Sequence, residues 1–460
     1  MSWVILAACC VMVLTVLFAV FWPSKVRTQQ ALEGLSNVGE SAPKHPSNIS
    51  PFTRACGWAG MLLLVLCFLC ANLGTQDPLM NFAPTFIWII WWLGTSFGVV
   101  VFGNFWPCIN PWLAIDRVIN PSNKPSVLSY PKHLGQWPGV FVLLCWCALE
   151  VVYPIAAMPE RLSWWIVAYS CYMLLGLSLF GQDIWCAKAD GFSIYFEWLA
   201  SQRKERVLVH TKDSHTDPDP INFSTQLSEI AFVIAMFASV LFDGLHASQM
   251  WPPLEATVMR WGILSHDLNG YQLGVWELVC VWLLFVCMYL LSCAVTSTWM
   301  RLEGKTPLSQ PHLSTLNLAT HFSWSLIPIA IAYLLAHNFS TFFIQAQSII
   351  ALSSDPFGWQ WDLLGTSRFE VDVSVIDAKL TWYVATVSIV LGHMVSIVKS
   401  HQCAQALIDS SELDSKAAMD SWDVYGPRLK AWKLSLPLTV LMIAFTALSL
   451  SIIAEPLANG

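Results

Sequence analysis

Long stretches of apolar residues alternate with short polar ones along almost the whole chain, and the apolar stretches are of one size. Runs near 3–22, 55–73, 83–103, 137–158, 162–182, 226–248, 271–295, 317–340, 378–400 and 432–453 each approach the ~20 residues that a bilayer core requires of a helix. The pattern predicts an all-α integral membrane protein of about ten transmembrane helices. The first run has no basic residue before it and Lys25 and Arg27 after it, so it reads as an anchor, not as a cleaved signal.

The basic residues test this count independently. Taken alternately, the connecting segments hold nineteen Lys and Arg in one set and four in the other, out of 23. The rich set includes Lys25, Arg117, Lys188, Arg203 and Lys399; the poor set is Arg161, Arg260, Arg368 and Lys379. The positive-inside rule puts the rich set in the cytoplasm and both termini outside it, as expected for a multi-pass protein of a bacterial inner membrane. Residues 1–54 then form an anchor helix with a polar linker, and 55–460 a helical bundle.

Two connecting segments are more than linkers. Cytoplasmic residues 183–225 begin with a mixture of aromatic and charged residues that reads as an interfacial amphipathic segment, followed by a solvated stretch. Outer residues 341–366 are too apolar for open solvent and too broken by Pro356, Gly358 and Gly365 for a span, which fits a re-entrant segment.

Composition agrees with the pattern. The 460 residues are 56% hydrophobic and 12% charged, about half the charge of a soluble domain, and include 25 Trp. A net charge of −7 offers nothing to a nucleic acid. The 14 Cys lie mostly in apolar runs, where Cys packs as a small hydrophobe, and Cys67-x-x-Cys70 sits inside a span where neither redox nor metal chemistry is expected. No P-loop, G-x-S-x-G, H-E-x-x-H or dinucleotide fingerprint stands where it would carry weight.

Chemistry is expected where ionisable groups enter the spans, because they are costly there without partners or water. Near the outer face these are Glu150, Asp243, His246, Glu277 and His337. Asp243 and His246 stand three residues apart, on one face of a persisting helix, although a helix end in interfacial water accounts for them as well. With His337 and with Glu277 or Glu150, they could hold a divalent metal such as Zn²⁺, with Asp243, His246 and His337 as ligands. The outer segment adds Gln345, Gln347, Asp355, Trp359, Trp361 and Asp362 as candidate substrate-lining residues. Its Trp residues serve equally as interfacial anchors or as an apolar wall for an aryl group.

Several stretches together resemble one family: Asn81 to Ile87, Phe102-Gly103-Asn104, Asn110-Pro111-Trp112, Leu149 to Pro154, Gly191 to Phe196, Phe242-Asp243-Gly244, Ala336-His337, Asp355 to Thr366 and Gly392-His393. Their order and spacing over about 80–450 are similar to those of the bacterial fenitrothion hydrolase-like membrane proteins. The resemblance implies hydrolysis of an apolar phosphotriester; the residue roles come from the chemistry above, with a metal-activated water as nucleophile and Asp243, His337, Glu277 and Glu150 around it. The expected partners are the lipid bilayer and an apolar small molecule. A proton-coupled small-solute transporter using the same carboxylates and His337, and a non-catalytic membrane subunit, are the other readings.

Overall fold

The computed structural model describes residues 13, 15, 50–119, 127–153, 155–203, 223–260, 269–302, 314–413 and 426–454. All regular structure among them is helical. Among the described residues, nine helices are long and apolar enough to cross a membrane: Pro51–Leu73, Phe82–Phe102, Lys132–Val151, Pro159–Phe180, Phe223–His246, Gly270–Met300, Thr315–Gln345, Ala378–Leu407 and Ala431–Ile453. They coincide with nine of the ten apolar runs. The run at 3–22 lies outside the described residues except for positions 13 and 15.

Large apolar side chains stand exposed along their flanks, among them Leu62, Phe141, Trp164, Leu175, Leu291 and Val440. Water would penalise so much uncovered hydrocarbon, whereas lipid matches it. The protein is a multi-pass membrane protein.

We label the elements in chain order. Helix α1 (Pro51–Leu73) starts where the Ser50 hydroxyl accepts from the Thr53 amide, with proline in the first turn. Asn81 begins α2 (Phe82–Phe102): its Oδ1 accepts from the Ala83 amide, while Nδ2 donates to the Cys70 and Thr75 carbonyls at 2.8 Å each. One fully buried amide thus ties the end of α1 to the start of α2. The middle of α2, Thr85–Gly94, is a ten-residue π-helical stretch. Such long i→i+5 runs are rare and accompany functional sites.

Then come α3 (Pro111–Ile119), α4 (Trp137–Val151), α5 (Pro159–Phe180), α6 (Gln182–Lys188) and α7 (Gly191–Ala200). Next are α8 (Phe223–His246), α9 (Trp251–Arg260), α10 (Gly270–Leu302) and α11 (Thr315–Gln345, with a 3-10 turn at Trp324–Leu326). Helices α12 (Ser348–Ser354), α13 (Ala378–Leu413) and α14 (Gly426–Ala454) complete the chain.

Helices α1, α3 and α5 pack together on one side, and α11, α13 and α14 on the other, with α4, α7 and α8 between them. Helix α8 is the axis: 72% of its central window is buried, against 22–44% for the other eight spans, and it touches α4, α10, α11 and α14.

Helix α7 occupies a place that its composition does not announce. An interfacial segment would leave one face in solvent, but Phe192, Ile194, Tyr195, Phe196, Leu199 and Ala200 are all buried. Phe192 lies among Trp91, Trp92, Trp146 and Tyr169. The turn that brings α7 inside is held by Asp190, wholly buried, which accepts from the Phe192 amide, the Ser193 hydroxyl and the Tyr169 phenol. With both oxygens bonded, the carboxyl stays in the interior without stranding a polar group. Residues 204–222 of the expected solvated stretch lie outside the described residues.

Candidate functional site

A cleft opens where α2, α4, α7, α8 and α11 meet. Trp92 of α2 and Tyr195 of α7 line it, with Leu143, Cys147, Glu150 and Val151 of α4, Met236, Ser239, Val240 and Asp243 of α8, and Leu334, His337 and Asn338 of α11. About 520 Å³ in it is free of protein atoms, open solvent at the mouth included. Its walls are mostly hydrocarbon and indole, and three ionisable side chains project into it.

Two of the three are paired. His337 Nε2 lies 2.5 Å from Asp243 Oδ2, and both side chains keep a third or more of their surface accessible (43% and 35%). Glu150, the third, takes both of its oxygens to one donor: Trp92 Nε1 stands 3.0 Å from Oε1 and 3.1 Å from Oε2. The indole is itself held in place, 5% exposed, against Tyr195 (4.9 Å between ring centroids) and Trp146 (5.5 Å).

These partners answer a local problem. Glu150 is in the last turn of α4 and Asp243 in the last turn of α8. Helix C-termini repel negative charge through their unsatisfied carbonyls, so a carboxylate there needs a donor from elsewhere. Trp92 supplies it to Glu150 and His337 to Asp243. In the tautomer that donates Nε2–H to Asp243, the imidazole has its Nδ1 lone pair left to accept a proton.

Glu277 and His246 form a second pair, apart from the cleft. His246 Nε2 lies 3.9 Å from Glu277 Oε2; His246 is 47% exposed and Glu277 only 4%. Trp251, at the start of α9, covers this pair, with ring centroids 5.9 Å from His246 and 5.6 Å from Phe242. The structure therefore brings Asp243, His337 and Glu150 together and sends His246 to Glu277. Among the described residues no three of His, Cys, Asp and Glu converge as metal ligands. Of the three expected ligands, Asp243 and His337 meet each other whereas His246 turns to Glu277.

The six outer candidates lie beyond the cleft, in a cap joining α11 to α13. Gln345 ends α11 and is exposed. Gln347 donates to the Asp372 carbonyl and accepts from the Asp372 amide, both at 3.1 Å, which pins the far end of the cap. Asp355 accepts from the Trp359 and Gln360 amides, and Asp362 from the Ser354 hydroxyl and the Ser367 amide. These bonds hold the Asp362 carboxyl below its ordinary range, the Ser354 hydroxyl contributing most; Ser374 does the same for Asp372. Phe357 stacks on Trp359, and Trp361 meets both edge-on. All of these contacts hold the cap in shape, and none of the six residues lines the cleft.

Sequence reasoning passed over Trp92 and Tyr195. The signal for Trp92 was the Trp88, Trp91, Trp92 cluster in mid-span, far from the ends where interfacial Trp gathers. Asn338, next to His337, also lines the cleft.

Comparison with known proteins adds no identification: no family model, no curated protein and no solved structure matches this chain.

Proposed function

We propose that the protein is a membrane-embedded hydrolase of apolar phosphotriesters, acting in the cleft through the His337–Asp243 pair. The observation that carries this reading is the 2.5 Å contact between those two side chains beside Glu150, in a site walled with apolar groups. A carboxylate bound to one imidazole nitrogen orients the ring and stabilises the cation formed when the other nitrogen takes a proton. The resemblance to fenitrothion hydrolase-like proteins supplies the substrate class.

In this reading His337 Nδ1 removes a proton from water as the water oxygen bonds to phosphorus. The P–O bond to the aryl group breaks, and the aryloxide leaves as a phenol with a proton from Glu150 or solvent. The products are a dialkyl (thio)phosphoric acid and the phenol, so atoms and charge balance. Leu143, Val151, Met236, Val240 and Leu334 offer the apolar surface that such an ester needs. We place the cleft toward the extracytoplasmic side of a bacterial inner membrane, with both termini outside, on the asymmetry of basic residues.

A proton-coupled transporter would use the same three groups but needs a route past them. Beneath the cleft, Ile230 to Ala235 of α8 are each no more than 1% exposed, which favours a one-sided site. The test is the purified protein in liposomes with an aryl dialkyl phosphorothioate, following phenol release. Hydrolysis that falls about 10²–10⁴-fold in His337→Ala supports the reading. Full turnover in that variant would remove the site assignment, and solute uptake driven by a proton gradient without product would replace the hydrolase by the transporter.

A further inference from the structure

The cap between α11 and α13 bonds much of its polar backbone within itself and exposes large apolar side chains, with Gln360 and Asp362 exposed among them. Four amides of its turn are satisfied within it: Trp359 and Gln360 donate to Asp355 at 2.9 and 2.7 Å, Leu363 to the Ser354 carbonyl at 3.0 Å, and Leu364 to the Ser354 hydroxyl at 2.9 Å. Asp362 accepts from the same hydroxyl. Gln360 is held at φ 65°, and Gly365 at φ 72° closes the turn. A backbone whose donors are already bonded can leave bulk water at little cost.

What this turn presents outward is hydrocarbon and indole. Leu363 is 63% exposed, Leu364 66%, Trp359 47% and Trp361 39%. The patch does not stand alone. The Thr75 amide bonds the Phe357 carbonyl at 2.8 Å and the Phe82 amide bonds the Pro356 carbonyl at 3.1 Å, which seat the cap on the α1–α2 connection. There Leu79 and Met80 are exposed, and the uncovered flank of α1 continues through Leu73 and Leu69. Exposed apolar side chains therefore stand on the flank of α1, on the connection that follows it and on the cap seated against that connection.

We propose that the Trp359–Leu364 turn is a membrane-seated tip, with Leu363 and Leu364 in the acyl region and the two Trp at the headgroup boundary. The seat of the cap on the end of α1, whose exposed flank is apolar, selects lipid as the occupant over a protein partner. Bonded amides with outward Leu and Trp match what an interfacial segment requires. The inference is independent of the hydrolase reading.

The experiment is photo-crosslinking of the full-length protein in phosphatidylethanolamine–phosphatidylglycerol liposomes. p-Benzoylphenylalanine replaces Leu364, in a second variant Leu363, and in a control Leu69 on the flank of α1. Lipid adducts at either tip position, in yield comparable to the control, are the expected result. A covalent dimer at the tip, or no lipid adduct from a tip variant that reconstitutes like the control, overturns the proposal. The Leu363 variant gives the answer if the Leu364 variant does not reconstitute.

Discussion

The last turn of α8 carries two residues, Asp243 and His246, that each find a partner of the opposite kind on a different helix. Asp243 meets His337 at 2.5 Å in an open cleft; His246 meets Glu277 at 3.9 Å, with the carboxylate almost wholly enclosed. Both are imidazole–carboxylate pairs, and their settings differ in every respect that matters to chemistry. In the first, the groups touch, both keep accessible surface, and a second carboxylate, Glu150, stands in the same cleft. In the second, the enclosed member is the carboxylate, and its Oε1 has no hydrogen-bond partner. Residue type does not make a reactive pair; access and contact do.

The sharpest way to break this comparison is to remove one imidazole from each pair. His337→Ala is expected to lower phosphotriester turnover about 10²–10⁴-fold, whereas His246→Ala leaves it within a few-fold. Equal losses in the two variants would mean that the pairs act together. Trp92→Phe comes next: it keeps an aromatic ring and removes the N–H that Glu150 accepts, so we expect turnover to fall roughly tenfold and stability by about 1–2 kcal/mol, read as the shift of the thermal midpoint in detergent.

Glu277→Gln sharpens the contrast from the other side. Removing an enclosed charge whose partner is 3.9 Å away is expected to leave stability unchanged or raise it by about 1 kcal/mol. A loss of several kcal/mol would show that the second pair holds the bundle together.

The smallest effect concerns the cap. The depressed folded-state values of Asp362 and Asp372 mean that their bonds stabilise the cap fully above the ordinary aspartate range, near pH ~3.9. That contribution is lost as pH falls through the depressed values. Protection of the Ser367 and Ser374 amides, whose N–H groups these carboxylates accept, measured as exchange relative to the intrinsic base-catalysed rate, should fall only on that acid side. Loss of protection beginning near neutrality would contradict the assignment.

The spans were legible because length and hydrophobicity suffice to mark a lipid-crossing helix, and nine of the ten runs recur as helices of that kind. The burial of α7 was not. Phe192, Tyr195, Phe196 and Trp198 look alike in sequence whether a helix lies on a membrane or inside a bundle, and the deciding bonds from Asp190 reach back to Tyr169 on α5. The site was half legible. Intramembrane carboxylates and histidines pointed to Glu150, Asp243, Glu277 and His337, but partnership depends on contacts between distant positions, such as Trp92 with Glu150, that no local pattern encodes. In the cap, the polar groups of Gln347, Asp355 and Asp362 are spent on bonds within the cap itself, which their residue types alone do not reveal.

The wide-turned stretch Thr85–Gly94 has an evolutionary corollary. Dropping a single residue there would let the coil tighten to ordinary pitch, swivelling one half of the span by about 100° against the other. Either the indole at 92 would swing off its carboxylate or the amide clasp at Asn81 would spring open. Lineages that lose one codon in this stretch should keep their hydropathy profile and forfeit the pocket, a kind of damage that a composition-based survey would miss.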